Sequence, residues 1–178
     1  MEHSVGLILV ASTRGVSRDA LITGCSSIYK SLQCTAAIAE TIGRDTQPWL
    51  NARQRLGDAV RNKPHLFDRT WAPKARYSMD WFYPVLSGAL NAEKAQERIE
   101  KDWKKFVIKD QGVRCVSDRP WITVAETCEL ILALAAMGNL GLAETVFSWI
   151  RNKTNEDGTY WCGFTCPDMT IWPEDKST

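Results

Sequence analysis

Oily, small-residue helices and charge-coated helices take turns along this sequence three times, and few folds accommodate that order. The last pair is the clearest. Ile122 to Met137 is apolar on nearly all sides, which predicts a buried helix that Gly138 ends. Leu140 to Arg151 then carries Leu142, Val146, Trp149 and Ile150 on one stripe, opposite Glu144, Thr145, Ser148 and Arg151, as an outer amphipathic helix should. In the first pair, Arg18 to Ile42 repeats apolar residues through Ile22, Ile28, Leu32, Ala36, Ala39 and Ile42, with Gly43 just past its end. Thr46-Gln47-Pro48 opens its partner, a cap followed by proline in the first turn. In the middle pair, Asp80 is read as the N-cap of a short helix through Leu90, and Asn91 as the cap of a charged helix to about Val107. Ala95, Ile99, Trp103 and Phe106 make the narrow apolar stripe of that second helix. The expectation is a single all-α domain over residues 1–178, with hairpins at about 18–63, 78–107 and 122–151. The oily helices form an inner layer covered by the charged ones.

The connections repeat as well. Eight Trp stand in a chain with five Phe, and Trp71, Trp81, Trp121, Trp161 and Trp172 fall in or beside the connections, where a core needs them least. Arg76 to Trp81, Val116 to Trp121 and Asp168 to Pro173 are comparable aromatic entries into a next inner helix. Their tryptophans recur about 40 and 51 residues apart, a helical-repeat period. By that register residues 152–178 lead to a fourth inner helix near residue 176 that the sequence does not supply. Repeat stacks need covered ends to stay soluble. Two expectations follow: a homodimer whose second copy covers the ends, or a chain that is a fragment of a longer protein.

Composition removes several functions. A net charge of +1 and no basic stripe argue against a nucleic-acid partner. The apolar run Val5 to Ala11 is too short for a membrane span and has no basic residues before it, which gives a cytoplasmic expectation. Of six cysteines, Cys25, Cys34 and Cys128 lie in apolar helical patterns, Cys115 stands alone, and Cys162 and Cys166 lack a second pair. The only histidines are His3 and His65. Reduced thiols, no metal and no cofactor are expected.

The run Asn155-Glu156-Asp157-Gly158-Thr159-Tyr160-Trp161 resembles the DGSW-type repeat element of the terpenoid cyclase and protein prenyltransferase superfamily. The resemblance extends to Tyr77 through Pro84, to Ser117 through Trp121 and to Gly163 through Glu174. It implies about half of an α/α toroid, prenyltransferase-like, with parallel inner helices whose N-terminal ends gather at one mouth. The D-x-D-D run of the cyclases is absent, and so is a histidine suited to the zinc site of the prenyltransferases.

By that arrangement the catalytic candidates are Asp80, Glu126 and Asp118. The ligand-binding candidates are Trp81, Tyr83, Arg119, Trp121, Tyr160, Trp161, Asp168, Trp172 and Glu174. Each has a plainer role beside the chemical one. Asp80 caps a helix or acts as an acid. Glu126 answers a helix dipole or donates a proton from an apolar surround. Asp118 and Arg119 form a loop ion pair or fix an anion. The aromatics pack repeats together or hold a ligand by stacking and cation–π contact. Asp157-Gly158 is first a turn. Three functions stay open: an isoprenoid-binding or isoprenoid-processing domain, favoured by the resemblance; a carbohydrate-active toroid in which carboxylates such as Glu126 and Asp80 do acid and base work; and a non-catalytic scaffold.

Overall fold

A computed structural model of the protein describes residues 11–12, 15–16, 19–69 and 74–172. It divides into two compact units, Met1–Lys74 with Ser87–Asn91, and Ala75–Leu86 with Ala92–Thr178.

In the first unit, β1 (Ala11–Ser12) and β2 (Gly15–Val16) pair antiparallel, and α1 (Ile22–Thr41) is followed by α2 (Gln47–Asn62). The start of α1 lies four residues later than the periodicity suggests, because Leu21 is extended and the buried Asp19 engages other backbone. Its Oδ1 accepts the amides of Ala20 and Arg69, and the Asp68 amide donates to the Ala20 carbonyl. Gly43 takes the left-handed conformation past α1 that a side chain would disfavour. Thr46 is the N-cap residue of α2, as expected, but the side-chain bond comes from the residue before it: the Gln47 amide donates to Asp45 Oδ1 at 2.9 Å. Tyr29, Cys25, Leu56, Ala59 and Val60 form the core of this unit. Gly57 makes room for it, since a Cβ there would stand 2.7 Å from Tyr29 Cε2. The α1 helix is buried along one stripe only. Ile42, the last residue of the apolar period, is 64% exposed, and Ile38 one turn before it is 61% exposed.

The second unit holds α3 (Ser78–Leu86), α4 (Ala92–Phe106), α5 (Val124–Ala136) and α6 (Leu140–Ile150). It also holds an antiparallel sheet of five strands in chain order: β3 (Val107–Ile108), β4 (Gly112–Arg114), β5 (Trp121–Thr123), β6 (Gly163–Thr165) and β7 (Ile171–Trp172). The chain is therefore helix-rich but not all-α. Connections read as aromatic loops contain these strands. Each is two or three residues long, too short to show an alternating period, yet rich in the β-branched and aromatic residues that favour pleated backbone.

Register fixes what the sheet buries. Ile122 stands opposite Phe164, and both are fully buried. Val113 pairs with Thr123. The Val113 amide donates to Thr127 Oγ1, which in turn donates to the Thr123 carbonyl at 2.7 Å and so locks β4 to the first turn of α5. Gly112, at φ +140, passes so close that a Cβ would lie 2.7 Å from that hydroxyl. Packed on α5, α3 carries the buried Trp81, whose ring stacks on Phe106 of α4 at 5.2 Å. The α5 helix is not buried all round, since Leu132 is 58% exposed. Among the described residues no helix is long and apolar enough to cross a membrane. The six cysteines form no disulfide.

Candidate functional site

Glu126 and Glu129 lie one helical turn apart on α5, a spacing that puts them on one face. Both are half-buried. Tyr83 of α3 donates its hydroxyl to Glu129 Oε1 at 2.7 Å. Cys115, in the connection between β4 and β5, directs its thiol to Glu126 Oε1 at 3.2 Å. Each arm of this cluster has a structural cause. Because α3 packs on α5, Tyr83 reaches Glu129. Backbone hydrogen bonds hold Cys115 from both sides, its amide donating to the Trp121 carbonyl and its own carbonyl accepting the Ser78 amide.

The electrostatics make the cluster unusual. Burial pushes the Glu129 carboxyl above its ordinary range, the Tyr83 hydroxyl pulls it back in part, and the charge of Glu126 raises it again. Burial, the bond to Glu129 and the two glutamate charges push the Tyr83 phenol up to about 12. Burial, the bond to Glu126 and the same two charges push the Cys115 thiol up to about 12. Burial and Glu129 also raise the Cys128 thiol. Two carboxylates therefore share a partly desolvated site ringed by groups that keep their protons. Such a site favours a neutral carboxylic acid, which is what proton donation to a leaving group requires.

The other candidates are placed as follows. Asp80 is nearly buried and lies within α3, two residues beyond the first, so it does not cap the helix. Its neighbour is Arg98: burial lowers the guanidinium and the Asp80 charge holds it up. Trp81 is a core residue, 2% exposed, with its indole Nε1 donating to the Arg98 carbonyl. Asp118 is exposed and paired with Arg76 at 2.7 Å, whose bond and charge hold its carboxyl below the usual range. Arg119 is exposed in the same turn, its amide donating to the Val116 carbonyl. Trp121 and Trp172 meet edge to face at 6.2 Å, the first half-buried and the second 53% exposed. Trp161 packs edge-on against Phe164 with the Lys153 ammonium 5.4 Å from its ring, and Tyr160 is exposed. Asp168 is exposed in the turn between β6 and β7. Glu174 lies outside the described residues. Asp157 makes the expected turn, its Oδ1 accepting the Thr159 amide at 2.9 Å.

Glu126 and Tyr83 are thus brought together, while Asp80 sits with Arg98 and Asp118 with Arg76. The sequence reading missed Glu129 and Cys115. A signal for Glu129 was present: a second acid, three residues after Glu126, on an otherwise apolar helix. Cys115 had none, because it stands alone in a connection whose path back onto α5 leaves no periodic mark in the sequence. An open groove of about 530 Å³, lined by Gln96, Ile99, Trp103, Lys104, Asn139 and Leu142 among others, includes none of the candidates. No group of three or more His, Cys, Asp or Glu among the described residues could hold a metal ion.

No family model matches the chain. The chain is 45% identical over 167 residues to an MMP endo-(1,4)-3-O-methyl-alpha-D-mannosidase of Mycolicibacterium hassiacum. The match takes in 94% of this chain and 45% of the relative, so the chain spans a little under half the length of the protein it resembles. This overturns the prenyltransferase-like and terpenoid cyclase-like resemblance. The Asp157-Gly158 turn and the aromatic connections on which it rested serve packing and turn geometry here, and neither specifies a reaction. The similarity along nearly the whole chain is instead to a mannosidase.

Proposed function

We propose that this chain is a carbohydrate-active domain that takes part in cleaving an α-(1→4)-linked chain of 3-O-methylated mannose. Glu129 serves as the proton donor, its neutral form favoured by burial first and by the charge of Glu126 in addition. One observation carries the reading: Glu129, half-buried beside a second carboxylate, has its carboxyl raised and its Oε1 held by Tyr83. The 45% identity to a mannosidase supplies the substrate class.

The chemistry follows from that placement. Glycosidic oxygen is a poor leaving group until protonated, and a carboxyl whose pKa is raised holds that proton to higher pH than an exposed one. An isolated exposed glutamate would already be ionised. As Glu129 gives up its proton, the Tyr83 hydroxyl hydrogen bond steadies the carboxylate that forms. Trp121 and Trp172 offer ring faces for the apolar side of a methylated sugar. The homodimer expected from the repeat pattern stays part of this proposal, as does a closed helical ring around the substrate. A mass in solution that remains monomeric at high concentration removes the dimer.

The deciding experiment incubates the protein with α-(1→4)-linked 3-O-methylmannose oligosaccharides and follows new reducing ends. Cleavage by the wild type and loss of about 10²-fold or more in Glu129→Gln are expected. Full activity in Glu129→Gln, or no cleavage and no binding of the oligosaccharide by the wild type, overturns the reading. Turnover of an isoprenoid diphosphate in the same assay would do so as well.

A further inference from the structure

We propose that Cys115 is a positioning residue: its thiol fixes the Glu126 carboxylate so that the Glu126 charge stays beside Glu129. The inference rests on the reading of Glu129 as the proton donor. A glutamate has three side-chain torsions, and a half-exposed one at the first turn of a helix is free to swing toward water. If Glu126 did so, its charge would be screened and its influence on Glu129 would fade. The structure opposes that motion from a rigid point. The Cys115 backbone is tied to Trp121 on one side and Ser78 on the other, so the thiol has a fixed origin from which to donate to Glu126 Oε1 at 3.2 Å.

The thiol is suited to this role and unsuited to a reactive one. Its pKa, pushed up to about 12 by burial and by Glu126 and Glu129, keeps it protonated as a hydrogen-bond donor rather than a thiolate nucleophile. The groups that bear on the pair are Cys115 from the β4–β5 connection, Tyr83 from α3 and Glu129 from α5 itself; the charges acting on Cys115, Tyr83 and Glu129 are those of the two glutamates. Loosening Glu126 therefore has a single expected sign. It lowers the pKa of Glu129, because the charge that opposes ionisation has moved away.

Cys115→Ala and Cys115→Ser test this, with Glu126→Gln as reference, each first checked for a native circular dichroism spectrum. The glutamate carboxyls are titrated by nuclear magnetic resonance on isotope-labelled protein, and the alkaline limb of kcat/KM for sugar cleavage is recorded in parallel. Cys115→Ala is expected to move the Glu129 titration and the alkaline limb down by about half a pH unit or more. Cys115→Ser, which keeps a donor, returns both toward wild type. Adding Cys115→Ala to Glu126→Gln produces no further shift. An unshifted titration in Cys115→Ala, no recovery in Cys115→Ser, or a shift that persists in the Glu126→Gln background overturns the positioning role. The magnetic resonance titration reads the inference without any activity. Failure of the hydrolase reading would instead appear as undiminished cleavage in Glu129→Gln.

Discussion

Trp81 and Arg98 hold each other in both directions. The indole Nε1 donates to the Arg98 carbonyl, and Arg98 Nε donates to the Trp81 carbonyl, each at 2.7 Å. A third bond explains why an arginine is there at all. Pro84 lies inside α3 and has no amide proton to give to the carbonyl of Asp80, one turn earlier. Arg98 Nη2 donates to that carbonyl at 2.7 Å instead. A helix with an internal proline is thus completed by a side chain from its neighbour.

This relationship predicts an asymmetric cost. Trp81→Phe keeps most of the ring packing and removes only a second donor from the Arg98 carbonyl, which keeps its partner within α4, and should lose about 1 kcal/mol. Arg98→Met leaves the Asp80 carbonyl without the donor that Pro84 cannot supply, takes a second donor from the Trp81 carbonyl and removes the Arg98 charge from beside the buried Asp80, so about 2–4 kcal/mol is expected. Urea midpoints at constant m-value measure both. Equal and small effects would mean that water replaces the arginine.

Glu129 gives a pH-dependent prediction on stability. Its folded pKa lies above the ordinary glutamate value of 4.5, so folding favours the neutral form. The contribution is fully present below that ordinary value and is lost as pH rises through the folded pKa. Glu129→Gln imitates the neutral acid and still accepts from Tyr83. Its melting temperature should match wild type near pH 4 and exceed it near pH 8. A constant difference across that range would show that Glu129 titrates normally.

Asp118 separates a surface pair from a working acid. Its side chain is 60% exposed and its partner Arg76 is 43% exposed, a geometry in which solvent screens most of the attraction. Asp118→Asn should leave the melting temperature and sugar cleavage unchanged within scatter, in contrast to Glu129→Gln. A loss of cleavage comparable with that of Glu129→Gln would place Asp118 in the reaction.

Two glycines should respond in opposite directions. Gly112→Ala meets the Thr127 hydroxyl at 2.7 Å and Ile122 Cγ2 at 3.0 Å from a backbone at φ +140, and should destabilise by about 2–4 kcal/mol. Gly24 lies exposed within α1, with its nearest neighbour 3.9 Å away, and Gly24→Ala should stabilise by about 0.5 kcal/mol. Thermal denaturation of the two variants side by side is the check.

The α-helices of the described residues were legible, most clearly where the period is long: α5 and α6 emerge within a residue or two of the stretches that Gly138 separates. Helix ends were less so. Asp80 looked like a cap but is one of the first residues inside α3, since caps depend on which backbone is already occupied. The sheet was not legible, because strands as short as Val107–Ile108 and Ile171–Trp172 carry no period of their own and are defined only by the strand each pairs with.

The same division runs through the site. Residue order alone put Glu126 and Glu129 on one helical face, because the helix repeat fixes the relation between positions three apart. Only tertiary packing brought Tyr83 from α3 to one of them and Cys115 from a sheet connection to the other. Local periodicity determines which face a side chain occupies. Contacts between segments far apart in sequence decide its dielectric surroundings and its partners, and those set whether a glutamate at neutral pH is an ordinary charge or a proton donor.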